Sequence, residues 1–160
     1  MLFRNLFISS LFLLTAGTAS ALVEQGVTKY VNPFIGTGAV DQNSLMGNTF
    51  PGACVPFGLV QLSPDVKSKP TGHEPSGYDY SSNRIYGFSH THLSGTGCVD
   101  LLDVLVMPSS RSLDELSRTD DFSSTFSHAN EKASVGYYQV KLDEDGINAE
   151  MTATLRTGMH

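Results

Sequence analysis

The chain has 160 residues, a length that suits one domain of ordinary size. Hydrophobic residues make up 40% and charged residues 16%, so a true core can form and the composition is unlike that of a disordered chain. A formal net charge of -6 with no Lys/Arg run excludes a protein built to bind nucleic acid or an anionic membrane surface; a neutral polar ligand suits it better.

In chain order, Arg4 is followed by the short apolar core Leu6 to Leu14 and then by Ala19-Ser20-Ala21, a small-x-small cleavage signature. This layout predicts a secretory signal peptide over residues 1–21, with a mature domain over 22–160. Export to the periplasm or the medium follows, with no membrane attachment after cleavage. An oxidising destination permits Cys54 and Cys98 to pair, and two separate thiols fit equally well.

Downstream, the pattern is strand and loop, which reads as an all-β, antiparallel fold rich in turns. Phe57 to Leu62 reads as a strand stopped by Ser63-Pro64-Asp65, and Ile85 to His90 as a second. Leu101 to Met107 is apolar except for Asp103, which predicts a strand covered on both faces. Tyr137 to Leu142 places Tyr138, Val140 and Leu142 on one side. Ile147 to Arg156 alternates without error, the period of a half-buried antiparallel strand. Asp143-Glu144-Asp145-Gly146 between these two runs is hairpin-turn chemistry. Leu113 to Arg118 reads as a brief helix, opened by a capping box from Ser112 to Glu115. Lys67 to Ser82 is a long polar loop, of the kind that tends to carry function. The last strand runs on toward His160 with no partner after it, so the chain reads as truncated on its C-terminal side.

The densest cluster of reactive side chains runs from Gly87 to Asp103. His90 and His92 share a face if extended, the geometry of an H-x-H metal pair, and Asp100 or Asp103 would supply a further ligand. The alternative is that both imidazoles orient loops by hydrogen bonding. Gly95-Thr96-Gly97 is neither a dinucleotide fingerprint nor a P-loop, and Ser94 lies in no nucleophile elbow. Its glycines allow tight turns and close backbone approach to a ligand. Tyr78, Asp79 and Tyr80 suit sugar recognition, since aromatic faces take apolar sugar faces and a carboxylate accepts from hydroxyls; packing beneath the loop is the other reading of the two rings. Asp65, Asp79, Asp100 and Asp103 are the candidate acids for paired-carboxylate chemistry. Asp103, within an apolar run, is expected to be buried and hydrogen-bonded. Asp114-Glu115 and Asp143-Glu144-Asp145 read as solvated turns.

Taken together, several segments resemble one family in order: Tyr30 to Gly38, Gly47 to Gly58, Val60 to Asp65, Ser76 to Tyr80, Gly87 to Asp103 with Met107-Pro108, Gly136-Tyr137-Tyr138, and Ala153 to Gly158. The chain resembles the opening of glycoside hydrolase family 92, the calcium-dependent exo-α-mannosidases. That resemblance implies an N-terminal β-sandwich packed on a larger (α/α)6 barrel, and inverting hydrolysis of mannose-containing glycans in which one carboxylic acid protonates the leaving oxygen while a carboxylate activates water. It places the catalytic carboxylates and most Ca2+ ligands in the helical domain, outside this chain, which leaves the fragment inactive by itself. By position, the resemblance assigns substrate contact to Gly52, Ala53, Cys54, Tyr78, Asp79, Tyr80, His90, His92, Ser94, Gly95, Thr96 and Asp100; which residues would hold a metal stays open. Two departures bear on linkage preference: Thr71 to Pro75 carries no Trp, and Leu102 stands where a small Gly is usual. The rival reading is a stand-alone carbohydrate-binding or adhesive β-sandwich.

Overall fold

A computed structural model describes residues 26–38, 47–66, 76–98, 100–119 and 121–160. The predicted leader, residues 67–75 of the long loop, and Val99 within the Gly87 to Asp103 cluster lie outside the described residues.

The strongest sequence signals build the larger sheet. β7 (Tyr137–Lys141) and β8 (Asn148–Ala153) pair antiparallel from Lys141↔Asn148 to Tyr137↔Thr152. The Asp143 to Gly146 turn joins them, with Gly146 in the left-handed region at φ 65°. β6 (Glu131–Ser134) pairs with the other edge of β7, and β9 (Gly158–Met159) with the other edge of β8. The alternation breaks earlier than expected. The strand ends at Ala153, Thr154 N–H donates to the Thr157 carbonyl at 2.8 Å, and Leu155 is 62% exposed. The Thr154 hydroxyl also accepts from the backbone of Arg156 and Thr157, a side-chain-stabilised turn that competes with extension. The final segment therefore supplies the hairpin partner that the sequence reading lacked.

The second sheet has the order β1-β2-β4, formed by Ala53–Cys54, Gln61–Asp65 and Gly87–Ser89. A small two-stranded piece pairs β3 (Arg84–Ile85) with β5 (Ser124–Thr125). Here the sequence expectation is displaced along the chain. Phe57 to Val60 is not strand: Phe57 has φ 59°, and Gly58 N–H closes a turn on the Val55 carbonyl. Ser63-Pro64-Asp65, expected as the stop, is strand instead. Pro64 is tolerated because it has no N–H to place. Its partner Phe88 turns both its backbone groups the other way, to Val106. Ile85 to His90 divides at Tyr86, whose N–H reaches the Asp65 carbonyl at 2.8 Å.

β1 and β2 pack across from β7 and β8, which makes the fold an all-β antiparallel sandwich. Leu62, Ile85, Phe88, Tyr138, Val140, Leu142 and Met151 fill the space between, and each such side chain contributes about 1.5–3 kcal/mol by leaving water. The brief helix α1 (Leu113–Leu116) keeps its capping box, with Ser112 and Glu115 bonded reciprocally.

The apolar run from Leu101 to Met107 does not become a covered strand. Leu101, Leu102 and Val104 have φ of 67°, 59° and 58°, so the chain twists instead of extending. Its inner side bonds to the 88–92 segment, through Leu102 N–H to Thr91 O and His90 N–H to Asp103 O, both at 2.9 Å. Its outer side faces solvent, with Val104 67% and Leu105 55% exposed. Asp103 is exposed as well, and its carboxylate accepts from Thr91 Oγ1 at 3.3 Å.

The polar centre of the fold is Glu131. Its buried carboxylate accepts from Tyr78 at 2.8 Å and Tyr138 at 2.5 Å, and lies 2.6 Å from His128 Nδ1. Burial first, and then the charge of Glu131, holds both phenols far above their ordinary pKa. Replacing Glu131 with Ala strands two buried hydroxyls, each costing about 1–3 kcal/mol when unsatisfied. Urea denaturation is expected to register a loss of about 3 kcal/mol or more for Glu131→Ala, and a much smaller one for the surface change Lys132→Ala.

Asp143 and Glu144 of the turn are exposed and Asp145 is half-buried, and the last two anchor neighbouring segments. Glu144 is half out of water, which alone would raise its pKa, but bonds from Ser124 Oγ and Thr125 N–H outweigh this and hold it low. Asp145 is held low by the Ser110 N–H and by the Ser110 and Ser109 hydroxyls. A depressed folded-state pKa contributes stability that is complete above the unfolded value and lost as pH falls through the folded one. Thermal midpoints measured below about pH 4 should therefore fall more steeply for the natural chain than for Asp145→Asn.

Candidate functional site

Four chain segments meet where β1 begins and β4 ends. Ser76 Oγ donates to the Thr49 carbonyl at 3.1 Å, and Thr49 Oγ1 donates to the Ile35 carbonyl at 2.9 Å. Gly95 N–H reaches Asn48 O at 2.6 Å, and Tyr80 N–H reaches Thr37 O at 2.9 Å. Segments 34–38, 47–52, 76–80 and 92–97 thus form one rim.

Beneath that rim lies a buried polar cluster. His92 Nδ1 stands 2.8 Å from the Gln61 carbonyl, which can only accept, so that nitrogen carries a hydrogen. Its Nε2 lies 3.1 Å from both Asp65 Oδ1 and Ser89 Oγ, and Phe50 packs on the ring at 4.9 Å. Gly77 crosses directly above with φ 82°; a Cβ there would stand 2.4 Å from Asp65 Oδ1. Asp65 and His92 therefore tie β2 to the loop after β4 and let the backbone pass closely over them.

The residues singled out in the sequence fall into different places. Gly52 and Ala53 are buried against β2, and Cys54 is half-buried. Tyr78 is fully buried in the core on Glu131, whereas Tyr80 is 44% exposed at the rim. Asp79 accepts from Ser81 N–H at 2.8 Å within its own turn, and Asp100 from Leu101 N–H at 2.8 Å. Ser94, Gly95 and Thr96 are exposed on the rim. His90 and His92 do not share a face: His92 turns inward, while His90 bonds Val104 O at 2.7 Å and meets His160 at 3.2 Å between Nε2 atoms. Burial first, then the charge of His90, lowers the His160 pKa. Among the described residues, no group of three His, Cys, Asp or Glu side chains converges to hold a metal ion. Those side chains, among the described residues, do not assemble a calcium site of that kind. Cys54 and Cys98 are free thiols, and burial raises the Cys54 pKa.

Beside the rim, Asn32, Phe34, Thr37, Gly38 and Tyr80 line an open hollow of about 370 Å³. Sequence reasoning passed over His128, Phe34 and Asn32 as site residues. Phe34 and Asn32 sit within the Tyr30 to Gly38 segment, whereas His128 carries no local signal. The arrangement offers backbone groups, hydroxyls and the aromatic rings of Phe34 and Tyr80, while the four candidate acids are each engaged by a neighbour.

Residues 30–160 match the glycosyl hydrolase family 92 N-terminal domain. The chain belongs to glycoside hydrolase family 92. A family 92 α-mannosidase of known structure from Bacteroides thetaiotaomicron is 41% identical over 82% of this chain and 17% of its own, with a TM-score of 0.71. The same enzyme has been solved with mannoimidazole. A second family 92 glycosyl hydrolase structure is 30% identical over 82% of this chain and 18% of its own, at TM-score 0.63. A protein from Arthroderma benhamiae described as an uncharacterized secreted glycosidase is 30% identical over 88% of this chain and 18% of its own length. The chain thus spans less than a fifth of the length of these relatives.

The family 92 motif glycines differ sharply in what they permit. A Cβ on Gly52 would stand 2.0 Å from the Leu62 carbonyl oxygen, whereas Gly95 has nothing within 4 Å but sits at φ 72°. Gly52→Ala is expected to abolish soluble folded protein. Gly95→Ala should cost only about 1–2 kcal/mol, the penalty of a left-handed alanine, as read by thermal unfolding.

Proposed function

We propose that the chain is the carbohydrate-binding N-terminal domain of a secreted α-mannosidase that trims α-mannosides from glycans. The observation that carries this reading is the rim itself: the segments bearing the family motifs, which are distant in sequence, are hydrogen-bonded into one surface beside an aromatic hollow. Relatives named as α-mannosidases, one of them solved with mannoimidazole, support the substrate class. The curated relative's description as secreted, together with the small-x-small signature at Ala19-Ser20-Ala21, supports export.

In this division of labour the sandwich binds and orients the sugar, while hydrolysis belongs to carboxylates in a helical domain beyond it. Inversion needs an acid on the leaving oxygen and a base on water across the ring, a pair that must stand far enough apart to admit that water. The engaged acids of this chain, with Asp65 locked on His92, suit support better than that role. Calcium would be held by residues elsewhere in the full-length protein.

The test uses the full-length gene product and this chain side by side. The full-length protein should release mannose from α-linked mannobiose with inverted anomeric configuration by NMR, and chelation with EDTA should abolish turnover. This chain alone should show none. Turnover by the isolated chain, or EDTA-resistant turnover by the whole, would overturn the assignment.

A further inference from the structure

The exposed ring of Tyr80 is held with unusual firmness for a loop residue. One face stacks on His128, with centroids 4.0 Å apart and planes at 14°. Phe34 meets Tyr80 edge-on at 5.6 Å, and a Cβ on Gly38 would stand 3.1 Å from the Tyr80 Cβ. His128 is itself fixed: Phe126 contacts it edge-on at 5.1 Å, and its Nδ1 lies 2.6 Å from the buried carboxylate of Glu131. The imidazole stacked under this surface ring is thereby tied to the core carboxylate.

Such an arrangement has a direct use in binding. An exposed side chain that must be immobilised by its ligand gives up rotamer freedom on binding, and a ring already fixed does not incur that cost. The hollow that Tyr80 walls has a volume within the range that small ligands occupy. Beside it, Asn32 Oδ1 accepts from Phe34 N–H at 3.0 Å, which leaves the side-chain NH2 as a donor for a sugar hydroxyl.

We propose that Tyr80 is the stacking platform for one pyranose ring of the α-mannoside, and that His128, stacked beneath it, is the positioning residue that holds it. The inference rests on the mannoside reading above and adds to it a platform and a residue that sets its plane.

Two His128 variants separate positioning from stability. His128→Phe keeps an aromatic partner under Tyr80 but gives up the bond to Glu131. His128→Asn removes the stack and keeps a polar group near the carboxylate. In the full-length protein with α-linked mannobiose, Tyr80→Ala should raise KM roughly tenfold with kcat within about twofold. His128→Asn should also raise KM, whereas His128→Phe should hold KM near the natural value while lowering the thermal midpoint. A purely structural His128 would make KM follow the midpoint, so an equal KM rise in both variants overturns the positioning role. An unchanged KM in Tyr80→Ala overturns the platform even if the natural enzyme is fully active. Disaccharide binding followed by NMR needs no turnover. Binding lost in Tyr80→Ala but present in a natural protein without turnover would sink the hydrolase reading and keep the platform; no binding by the natural protein overturns both.

Discussion

One buried carboxylate organises this sandwich. Glu131 lies at the start of the outer strand of the larger sheet, and it takes the hydroxyl of Tyr78 from the opposite loop and that of Tyr138 from the neighbouring strand. Three polar groups that would each be costly alone in the core become mutually satisfied, with His128 as a fourth at the boundary. Because Tyr78 and Tyr80 are two residues apart, the same knot that closes the core also fixes the loop that carries the exposed ring. Core stability and the placement of this exposed ring have a common origin.

The parts of this fold legible in the sequence were those whose signal is local. Alternation from Ile147 to Ala153, the one-sided pattern of Tyr138, Val140 and Leu142, the acidic turn between them and the Ser112–Glu115 box all depend on neighbours along the chain. Apolar runs without alternation misled in two ways. Phe57 to Val60 is apolar but lies in a turn that delivers the chain from β1 to β2, so the strand begins four residues later. Leu101 to Val106 is apolar but lies along an edge, and hydrophobicity alone does not say which face another segment will cover.

The site was legible as a family and obscure as a geometry. The ordered motifs named family 92, and the rim brings most of them together. Which aromatic of Tyr78 and Tyr80 faces outward could not be read, because both flank the same acid in the same loop. Nor does any feature of Ser127-His128-Ala129-Asn130-Glu131-Lys132 mark a buried carboxylate and its partner. Those roles arise from strands that meet only after folding.

The ridge from Leu101 to Val106 carries a consequence for how this chain behaves in dilute solution. An exposed apolar edge ordinarily invites another molecule to extend the sheet through its unpaired backbone. Here Leu101, Leu102 and Val104 sit in the left-handed region, so the N–H and C=O groups fail to line up into a ladder. Self-association along this edge would have to proceed through greasy side chains, reversibly and with a steep dependence on concentration, in place of the templated stacking that seeds fibrils.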